Sequence, residues 1–284
     1  MRSVARIFDT GVRPQWCPGC GNYGVLAAVR AALADLGFRR EDVVAVAGIG
    51  CHGRMTEYLD VNAFHAIHGR AVPVGEGVKL ANPKLTVLVH TGDGDAYAIG
   101  LSHLLHAARR NVGIKVIVHN NMVYALTTGQ AGPTTPRGTK TRSTPYGNPE
   151  EPFNPLLLLL ASGATFVARG FSDDVQHLKE LIKRAILHEG FAVVDVIQPC
   201  VTFYDARRWF KERAYKLEDE SHDPGDFRAA LEKSLEAERV PLGVIYEVEK
   251  PAFEKLVLSH EHPPPALRDL KVKQPLGKLL SRFE

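Results

Sequence analysis

Apolar residues in this chain form short continuous runs that alternate with stretches of helical periodicity. The runs are rich in β-branched residues, and they predict buried strands at residues 43–47, 85–90, 114–119 and 191–197, with a shorter strand at 165–168. Helical periodicity between the runs predicts helices at residues 23–36, 96–108 and 175–188. Nearly continuous apolar strands separated by helices favour an α/β fold, in which a parallel sheet carries helices on both faces.

The character of the chain changes shortly after Cys200. Residues 204–220 are dense in charge, residues 226–238 show the pattern of an amphipathic helix, and residues 242–248 read as an edge strand. A basic tail follows the three prolines at 263–265. We therefore expect one domain over residues 1–202 and a C-terminal arm over residues 203–284, without a second hydrophobic core.

Composition and charge exclude several classes of protein. The 284 residues are 45% hydrophobic and 24% charged, as in an ordinary globular protein, and the net charge of +3 is too small to indicate nucleic-acid binding. The longest apolar run, residues 156–161, is too short to span a membrane, and no apolar segment near the N-terminus indicates export. We expect a cytoplasmic protein that binds neither nucleic acid nor membranes.

Four residues with chemical potential each follow the end of a predicted strand. They are Cys51, Asp93, Asn121 and Cys200. The carboxyl ends of parallel strands meet at one edge of a sheet, which is where open α/β sheets bind their ligands. The pattern therefore predicts that these four residues belong to one region of the molecule.

Asp93 and Asn121 have the properties of a site for a divalent metal and a diphosphate. Asp93 lies between Gly92 and Gly94, and Asn121 follows it by 28 residues. Mg²⁺ prefers oxygen ligands and is usually held by one or two side chains together with substrate phosphates. A main-chain carbonyl near Val123 would add a third protein oxygen. The alternative, a tight turn followed by a turn-forming asparagine pair, is equally compatible with the residues alone.

The four cysteines favour a metal centre over disulfides. Cys17 and Cys20 form a Cys-Pro-Gly-Cys motif, whereas Cys51 and Cys200 are isolated. Disulfides are disfavoured in a reducing compartment, and four thiolates suit either zinc or an iron–sulfur cluster. Structural zinc usually shows two Cys-x-x-Cys motifs, so the single motif here leans toward a [4Fe–4S] cluster. Buried cysteines without a ligand remain the third reading for Cys51 or Cys200.

Two further features lie close to the predicted site in sequence. Residues 127–155 form a long segment rich in threonine, proline and glycine, and such a loop in a compact domain is typically functional. Because this loop follows Asn121, we expect it to cover the bound ligand. Arg54 lies three residues after Cys51 and is a candidate for binding a substrate carboxylate, with a structural ion pair as the alternative.

With these residues in view, the chain resembles the β subunits of the 2-oxoacid:ferredoxin oxidoreductases. The resemblance covers roughly residues 13–205, and its motifs occur in the same order in this chain. They are Trp16-Cys17-Pro18-Gly19-Cys20-Gly21, Gly48-Ile49-Gly50-Cys51, His68-Gly69-Arg70, Lys79-Leu80-Ala81-Asn82-Pro83, Gly92-Asp93-Gly94-Asp95, Thr128-Gly129-Gln130 and Pro133-Thr134-Thr135. One departure is Gly75-Glu76-Gly77, where the family is expected to have Ala-Thr-Gly.

The resemblance implies three cofactors and their ligands. Asp93, Asn121 and the Val123 carbonyl would bind Mg²⁺. The four cysteines would bind one [4Fe–4S] cluster. Contacts to thiamine diphosphate are implied for Ile49, Gly50, Cys51, His52, Gly94, Asp95, Ala125 and Leu126.

The resemblance also implies an activity and partners. The family oxidatively decarboxylates a 2-oxoacid with coenzyme A and passes the electrons to ferredoxin, and pyruvate, 2-oxoglutarate and broad specificity all remain open here. The catalytic glutamate that binds the thiamine ring is expected on an α subunit, or on a fused γα subunit, so this chain is expected to be active only with that partner. Two alternatives are a non-oxidative thiamine-dependent decarboxylase or synthase subunit and a zinc-binding structural protein, neither of which needs an iron–sulfur cluster.

Overall fold

An open twisted sheet forms the centre of the structure, which is a computed structural model describing residues 5–259, 262–268 and 281. The strands, in chain order, are β1 Val43–Ala47, β2 Asn62–His65, β3 Thr86–Gly92, β4 Ile114–Asn120, β5 Val123–Tyr124, β6 Gln130–Ala131, β7 Phe166–Phe171, β8 Ala192–Ile197, β9 Ala214–Lys216 and β10 Val240–Glu247. The α-helices are α1 Asn22–Asp35, α2 Met55–Tyr58, α3 Ala71–Ala81, α4 Leu101–Arg110, α5 Pro155–Ala161, α6 Val175–Leu187, α7 Arg207–Arg213, α8 Phe227–Ser234 and α9 Phe253–Val257.

Within the described residues the main sheet has eight strands in the order β2-β1-β3-β4-β8-β7-β10-β9. The first six run parallel, β10 is antiparallel to β7, and β9 is parallel to β10. The short strands β5 and β6 form a separate hairpin next to the carboxyl end of β4. The predicted α/β fold with a largely parallel sheet is therefore confirmed.

The continuous apolar strands are explained by two hydrophobic cores, one on each face of the sheet. In β1, Val43 and Ala45 pack with residues of α1 and α6, whereas Val44 and Val46 pack with residues of α3, α4 and α5. Because successive side chains point to opposite faces of a strand, a strand covered on both sides must be apolar at every position. Helices on both faces, as predicted, are what the structure contains.

One predicted helix is observed in a different form, and one edge strand was not predicted. The helix predicted at residues 96–108 is divided into a π-helical turn at Gly94–Ile99 and α4, which are separated by Gly100. Wide turns of this kind often occur at functional sites, and this one carries Asp95. Strand β2 has no counterpart in the prediction, because its four residues are exposed at the edge of the sheet and form no apolar run.

The residues after Cys200 join the main sheet and do not lie apart from it as an arm. The edge strand expected at residues 242–248 is observed as β10, but β9 covers its outer side. Ile245 of β10 packs in the same core as Val167 of β7. The domain boundary at residues 202/203 stays a prediction, and the basic tail beyond residue 268 lies outside the described residues apart from residue 281. In the described part of the chain, no helix is long and apolar enough to cross a membrane.

Helix α3 contains two glycines in contrasting environments. A Cβ atom on Gly75 would lie 2.7 Å from Cγ2 of Val89, a fully buried residue of β3. A Cβ atom on Gly77 would meet no atom within 4 Å. Gly75 therefore lets α3 approach the sheet closely, whereas Gly77 has no packing role. This packing accounts for one glycine of the Gly75-Glu76-Gly77 segment.

We predict that Gly75→Ala lowers the free energy of unfolding by about 1–3 kcal/mol, because the added methyl group overpacks the contact with Val89. Gly77→Ala on the same helix is the matched control, and it should raise stability by about 0.5–1 kcal/mol because alanine is the better helix former. Thermal unfolding of the purified protein checks both values. Equal effects of the two substitutions would contradict the packing argument.

Candidate active site

A cavity of about 240 Å³ lies at the carboxyl ends of β1, β3 and β4. These strands are neighbours, and their register pairs Ala47 with His90 and Gly92 with His119. The segments that follow them therefore leave the sheet side by side. The cavity is lined by Ile49, Gly50, Cys51, His52, His68, Gly92, Asp93, Gly94, Asp95, Asn121, Val123, Tyr124, Ala125, Leu126 and Thr127. All the residues predicted to bind Mg²⁺ or thiamine diphosphate are in this set, and the structure adds His68, Gly92, Tyr124 and Thr127 to them.

Asp93 is a buried carboxylate without a charged partner. Its Oδ2 atom accepts a hydrogen bond of 2.9 Å from the Thr134 hydroxyl, and burial raises its pKa to about 7. No cation forms an ion pair with Asp93 within the described ranges. A carboxylate in such surroundings gains most from a nearby positive charge.

The turn after β4 brings further oxygen atoms to the same place. Asn121 Oδ1 accepts a hydrogen bond of 3.1 Å from the main-chain N–H of Val123, and Met122 between them has a left-handed backbone with φ of 63°. A non-glycine residue in this conformation is strained, and such strain is common at functional sites. The Thr135 hydroxyl donates to the Met122 carbonyl and thereby stabilises the turn.

The donor set at this end of the cavity suits magnesium. It consists of a carboxylate, an amide oxygen and a main-chain carbonyl, which are hard oxygen ligands. Across the residues that the structure describes, no group of three or more His, Cys, Asp or Glu side chains is arranged to hold a metal ion. The proposed oxygen ligands contain only one side chain of these four types, Asp93. The set is therefore not one of the groups that this criterion describes.

Asp95 organises the opposite wall of the cavity. It accepts hydrogen bonds from the Gly69 main chain at 2.5 Å and from the Thr91 hydroxyl at 2.7 Å, and His68 Nδ1 lies 2.8 Å from it. His52 Nε2 lies 3.4 Å from its other oxygen. Burial acts to raise the pKa of Asp95, but His52 and the other donors outweigh it and hold the pKa below its usual value. A side chain at Gly48 would overlap the Asp95 carboxylate, so glycine is required there.

Asp195 is a functional candidate that the sequence analysis missed. It is fully buried in β8, and it accepts hydrogen bonds from Tyr97 at 2.9 Å, Asn120 at 3.1 Å and Arg169 at 3.0 Å. Asn120 in turn lies 3.0 Å from the Thr134 hydroxyl that contacts Asp93. Asp195 therefore supports the part of the cavity around Asp93 through Asn120 and Thr134. The signal that could have identified it is a single acidic residue within an otherwise apolar strand.

The four cysteines lie close enough to influence one another. None forms a disulfide; Cys17 is exposed, Cys20 and Cys51 are half-buried, and Cys200 is buried. Burial, followed by the thiols of Cys20, Cys200 and Cys17, raises the pKa of Cys51 to about 11. The three other thiols shift the pKa of Cys51, so the four cysteines lie in one region, but within the described residues no three of them are arranged to hold a single metal ion. Thiols spaced in this way suit a multi-iron cluster, whose ligands stand farther apart than those of a single ion, and their role as its ligands stays a prediction.

Two protein families match the parts of the chain that carry this geometry. Residues 48–196 match the family described as thiamine pyrophosphate enzyme, C-terminal TPP binding domain. Residues 200–261 match the family described as the C-terminal part of the pyruvate ferredoxin oxidoreductase beta chain. The first match includes every residue that lines the cavity, and the second begins at Cys200.

Individual relatives cover most of the chain. The 2-oxoacid:ferredoxin oxidoreductase 1 subunit beta of Aeropyrum pernix is 46% identical over 258 residues, which are 86% of this chain and 81% of the relative. The 2-oxoacid:ferredoxin oxidoreductase subunit beta of Saccharolobus solfataricus is 47% identical over 249 residues, with 82% of each chain covered. The chain belongs to the β subunits of the 2-oxoacid:ferredoxin oxidoreductases.

A solved structure of the same kind shares the fold of this β subunit. It is a 2-oxoglutarate:ferredoxin oxidoreductase from Magnetococcus marinus with 2-oxoglutarate, coenzyme A and succinyl-CoA bound. The similarity has a TM-score of 0.89 at 34% identity and covers 100% of this chain and 97% of that chain. These two relatives and the solved structure are named as ferredoxin oxidoreductases, which does not favour the non-oxidative decarboxylase or synthase alternative.

Two arginines of this β subunit hold structural positions. Arg54 lies outside the lining of the cavity, where it donates to the Tyr58 hydroxyl at 3.2 Å and pairs with Glu57 at 3.5 Å. This arrangement favours the structural alternative, and its binding of a substrate stays a prediction. Arg207 pairs with Asp173 at 2.8 Å and donates to the Gly19 carbonyl at 2.8 Å, so it holds the turn between Cys17 and Cys20.

We predict that Asp195→Asn destabilises the β subunit by about 3 kcal/mol, because it leaves the Arg169 guanidinium buried without its counter-ion. Asp173→Asn is the matched control. Asp173 also pairs with an arginine, but near the surface, so the same change there should cost less than about 1 kcal/mol. Thermal unfolding midpoints measure the difference, at about 2–4 °C per kcal/mol in a chain of this size. Similar losses in the two variants would show that the buried network has no special weight.

Proposed function

We propose that this β subunit binds thiamine diphosphate in the cavity at the ends of β1, β3 and β4, with its diphosphate bridged to the protein by Mg²⁺. The observation that carries the proposal is the convergence of Asp93, Asn121 and Val123 with the cofactor-contact residues 49–52, 94–95 and 125–126 in one cavity. Asp93, Asn121 and the Val123 carbonyl would hold the ion. The cofactor contacts would come from Ile49, Gly50, Cys51, His52, Gly94, Asp95, Ala125 and Leu126.

The reaction we propose is the coenzyme A-dependent oxidative decarboxylation of a 2-oxoacid. When bound, thiamine diphosphate supplies the carbanion chemistry that removes CO₂. The chain's own residues bind and orient. Asp95 lies 3.4 Å from His52 Nε2 and 2.8 Å from His68 Nδ1, and it would orient both rings toward the cavity. The loop at residues 127–155 supplies Thr127 to the cavity wall and Thr134 to Asp93, which supports its proposed role as a cover that excludes water.

We further propose that Cys17, Cys20, Cys51 and Cys200 hold one [4Fe–4S] cluster, which passes electrons to ferredoxin. Thiolates are the standard ligands of such clusters. Cys51 follows Ile49 and Gly50 of the cavity wall, so the cluster and the thiamine site would share one turn. Oxidation of a decarboxylated 2-oxoacid releases two electrons, and a cluster accepts them one at a time. Zinc at the same thiolates would be redox-inactive.

The proposed site is completed by the partner. The β subunit is part of a multi-subunit enzyme, and the glutamate that would contact the thiamine ring is not expected in this chain. Exposed apolar side chains lie on and around the cavity, where they would be buried by an α subunit: Ile49, Ile67, Ile99 and Leu126. Exposed apolar patches at the mouth of a site are typical of subunit interfaces.

We expect Asp93→Ala to abolish magnesium-dependent binding of thiamine diphosphate to the assembled enzyme, because it removes the charged ligand of the proposed site. Asn121→Ala should weaken binding less, since it removes a neutral oxygen. Calorimetric titration with thiamine diphosphate, with and without Mg²⁺, measures the effect. Asp219→Ala, at an exposed position, is the control and should bind as the wild type does. Unchanged affinity in the Asp93 variant would mean that the metal site is elsewhere.

Anaerobic purification should yield about four iron and four sulfide per β subunit, in accordance with one cluster held by four cysteines. Cys200→Ser should lower this content sharply. The Asp93→Ala enzyme is the reciprocal control, because it should lose the cofactor but keep the iron. Wild-type enzyme that contains one zinc and no iron would refute the cluster.

A further inference from the structure

The side chain of Gln198 makes a contact that no part of the proposed function explains. Its Nε2 atom lies 3.5 Å from the Cys20 sulfur, within hydrogen-bonding distance for a sulfur acceptor. Gln198 is 1% exposed, follows the last residue of β8 and precedes Cys200 by two residues. It therefore lies between two cysteines that are distant in sequence.

Gln198 is held in this position from several directions. Its main-chain N–H donates to the Asn120 carbonyl at 2.9 Å, which extends the pairing of β8 with β4 by one residue. A Cβ atom on Gly21 would lie 2.9 Å from Gln198 Cγ, so the glycine after Cys20 allows the glutamine to pack against the turn. The Pro199 carbonyl accepts from the Gly21 N–H at 3.4 Å and from Gln198 Nε2 at 3.3 Å. The amide is thus fixed relative to the sulfur by main-chain contacts.

The amide of Gln198 has one orientation that suits a thiolate. A thiolate accepts hydrogen bonds and cannot donate, so the NH₂ group must face Cys20 when this cysteine is a ligand. Gln198 Oε1 has no hydrogen-bond partner among the described residues. A buried oxygen without a partner is costly in free energy. The hydrogen bond from Nε2 to the sulfur would offset part of this cost.

A second amide lies near the same sulfur. Asn22 is fully buried, and the hydrogen bond between its Oδ1 atom and His119 Nδ1 is 2.7 Å long. Its Nδ2 atom forms no hydrogen bond within the described residues. Asn22 is close enough to the Cys20 thiol to interact with it. Two buried amide side chains, those of Gln198 and Asn22, therefore lie near this sulfur.

Resting on the proposed cluster, we propose that Gln198 donates a hydrogen bond to the Cys20 sulfur and raises the reduction potential of the cluster. Reduction by one electron, which the decarboxylated substrate gives up as it is oxidised, adds one negative charge to the cluster and its four thiolates. A donor to a ligand sulfur stabilises the more negative form more strongly, so it favours reduction. Gln198 is then a residue that adjusts how readily the cluster accepts electrons, without contacting substrate.

The test is Gln198→Met in the assembled enzyme, because methionine has nearly the same shape and no donor. The equilibrium constant for one-electron reduction should fall about tenfold, which shifts the midpoint potential by about 59 mV to more negative values. Redox titration followed by electron paramagnetic resonance measures it. Gln176→Met is the matched control, since Gln176 is exposed on α6, and its potential should equal that of the wild type.

The proposal would be overturned if the equilibrium constant for one-electron reduction of the Gln198→Met enzyme lay within about twofold of the wild-type value. Iron analysis keeps this outcome separate from failure of the cluster itself, because wild-type enzyme without iron refutes the cluster and not the glutamine. If the variant does not assemble, wild-type enzyme with ¹⁵N in its glutamine side chains decides. Pulsed resonance spectra of the reduced cluster should then show coupling to a glutamine amide nitrogen, and its absence would contradict the hydrogen bond.

Discussion

The common direction of β1, β3, β4 and β8 is the constraint on which the whole site depends. Their pairing places Ala47 beside His90, Gly92 beside His119 and Asn120 beside Ile197. Because these strands are parallel and adjacent, the segments that follow them leave from one edge of the sheet. Residues from four distant parts of the sequence thereby meet without long loops. The cavity and the cysteines are both consequences of this one arrangement.

Behind that edge lies an unusual density of buried polar groups. Asp93, Asp95 and Asp195 are each 2% exposed or less, and ionised groups in such surroundings cost several kcal/mol unless they are compensated. Asp95 and Asp195 each receive several hydrogen bonds. Asp93 receives one side-chain hydrogen bond, from the neutral Thr134 hydroxyl, besides main-chain N–H contacts, and it has no cationic partner among the described residues. The difference distinguishes two carboxylates that the fold satisfies from one that a cation would satisfy.

The buried histidines near this edge behave as neutral groups. Burial lowers the pKa of His90 to about 3, and the pKa of His119 is shifted in the same direction. His119 Nδ1 faces the Asn22 oxygen, so this nitrogen carries the proton, and its Nε2 accepts from His90 Nδ1 at 3.1 Å. One arrangement of protons is compatible with both contacts, and it leaves Asn22 Nδ2 and His90 Nε2 without a hydrogen-bond partner among the described residues. These histidines connect the segment that contains Cys20 with β3 and β4. They therefore link the cysteine region with the cavity.

The sequence by itself determined the strands β1, β3, β4 and β8, the helices α1 and α6, and most of the residues that line the cavity. Burial on both faces imposes an apolar residue at every position of a central strand. Glycines and polar residues at strand ends are local signals that can be recognised in the sequence alone. The sequence did not reveal β2, which is exposed, or the return of β10 to the sheet, which depends on pairing with β7. Nor did it show the partners of Asp195 and Gln198. Tyr97 is 98 residues from Asp195, and Cys20 is 178 residues from Gln198, so only the folded chain decides that these side chains meet.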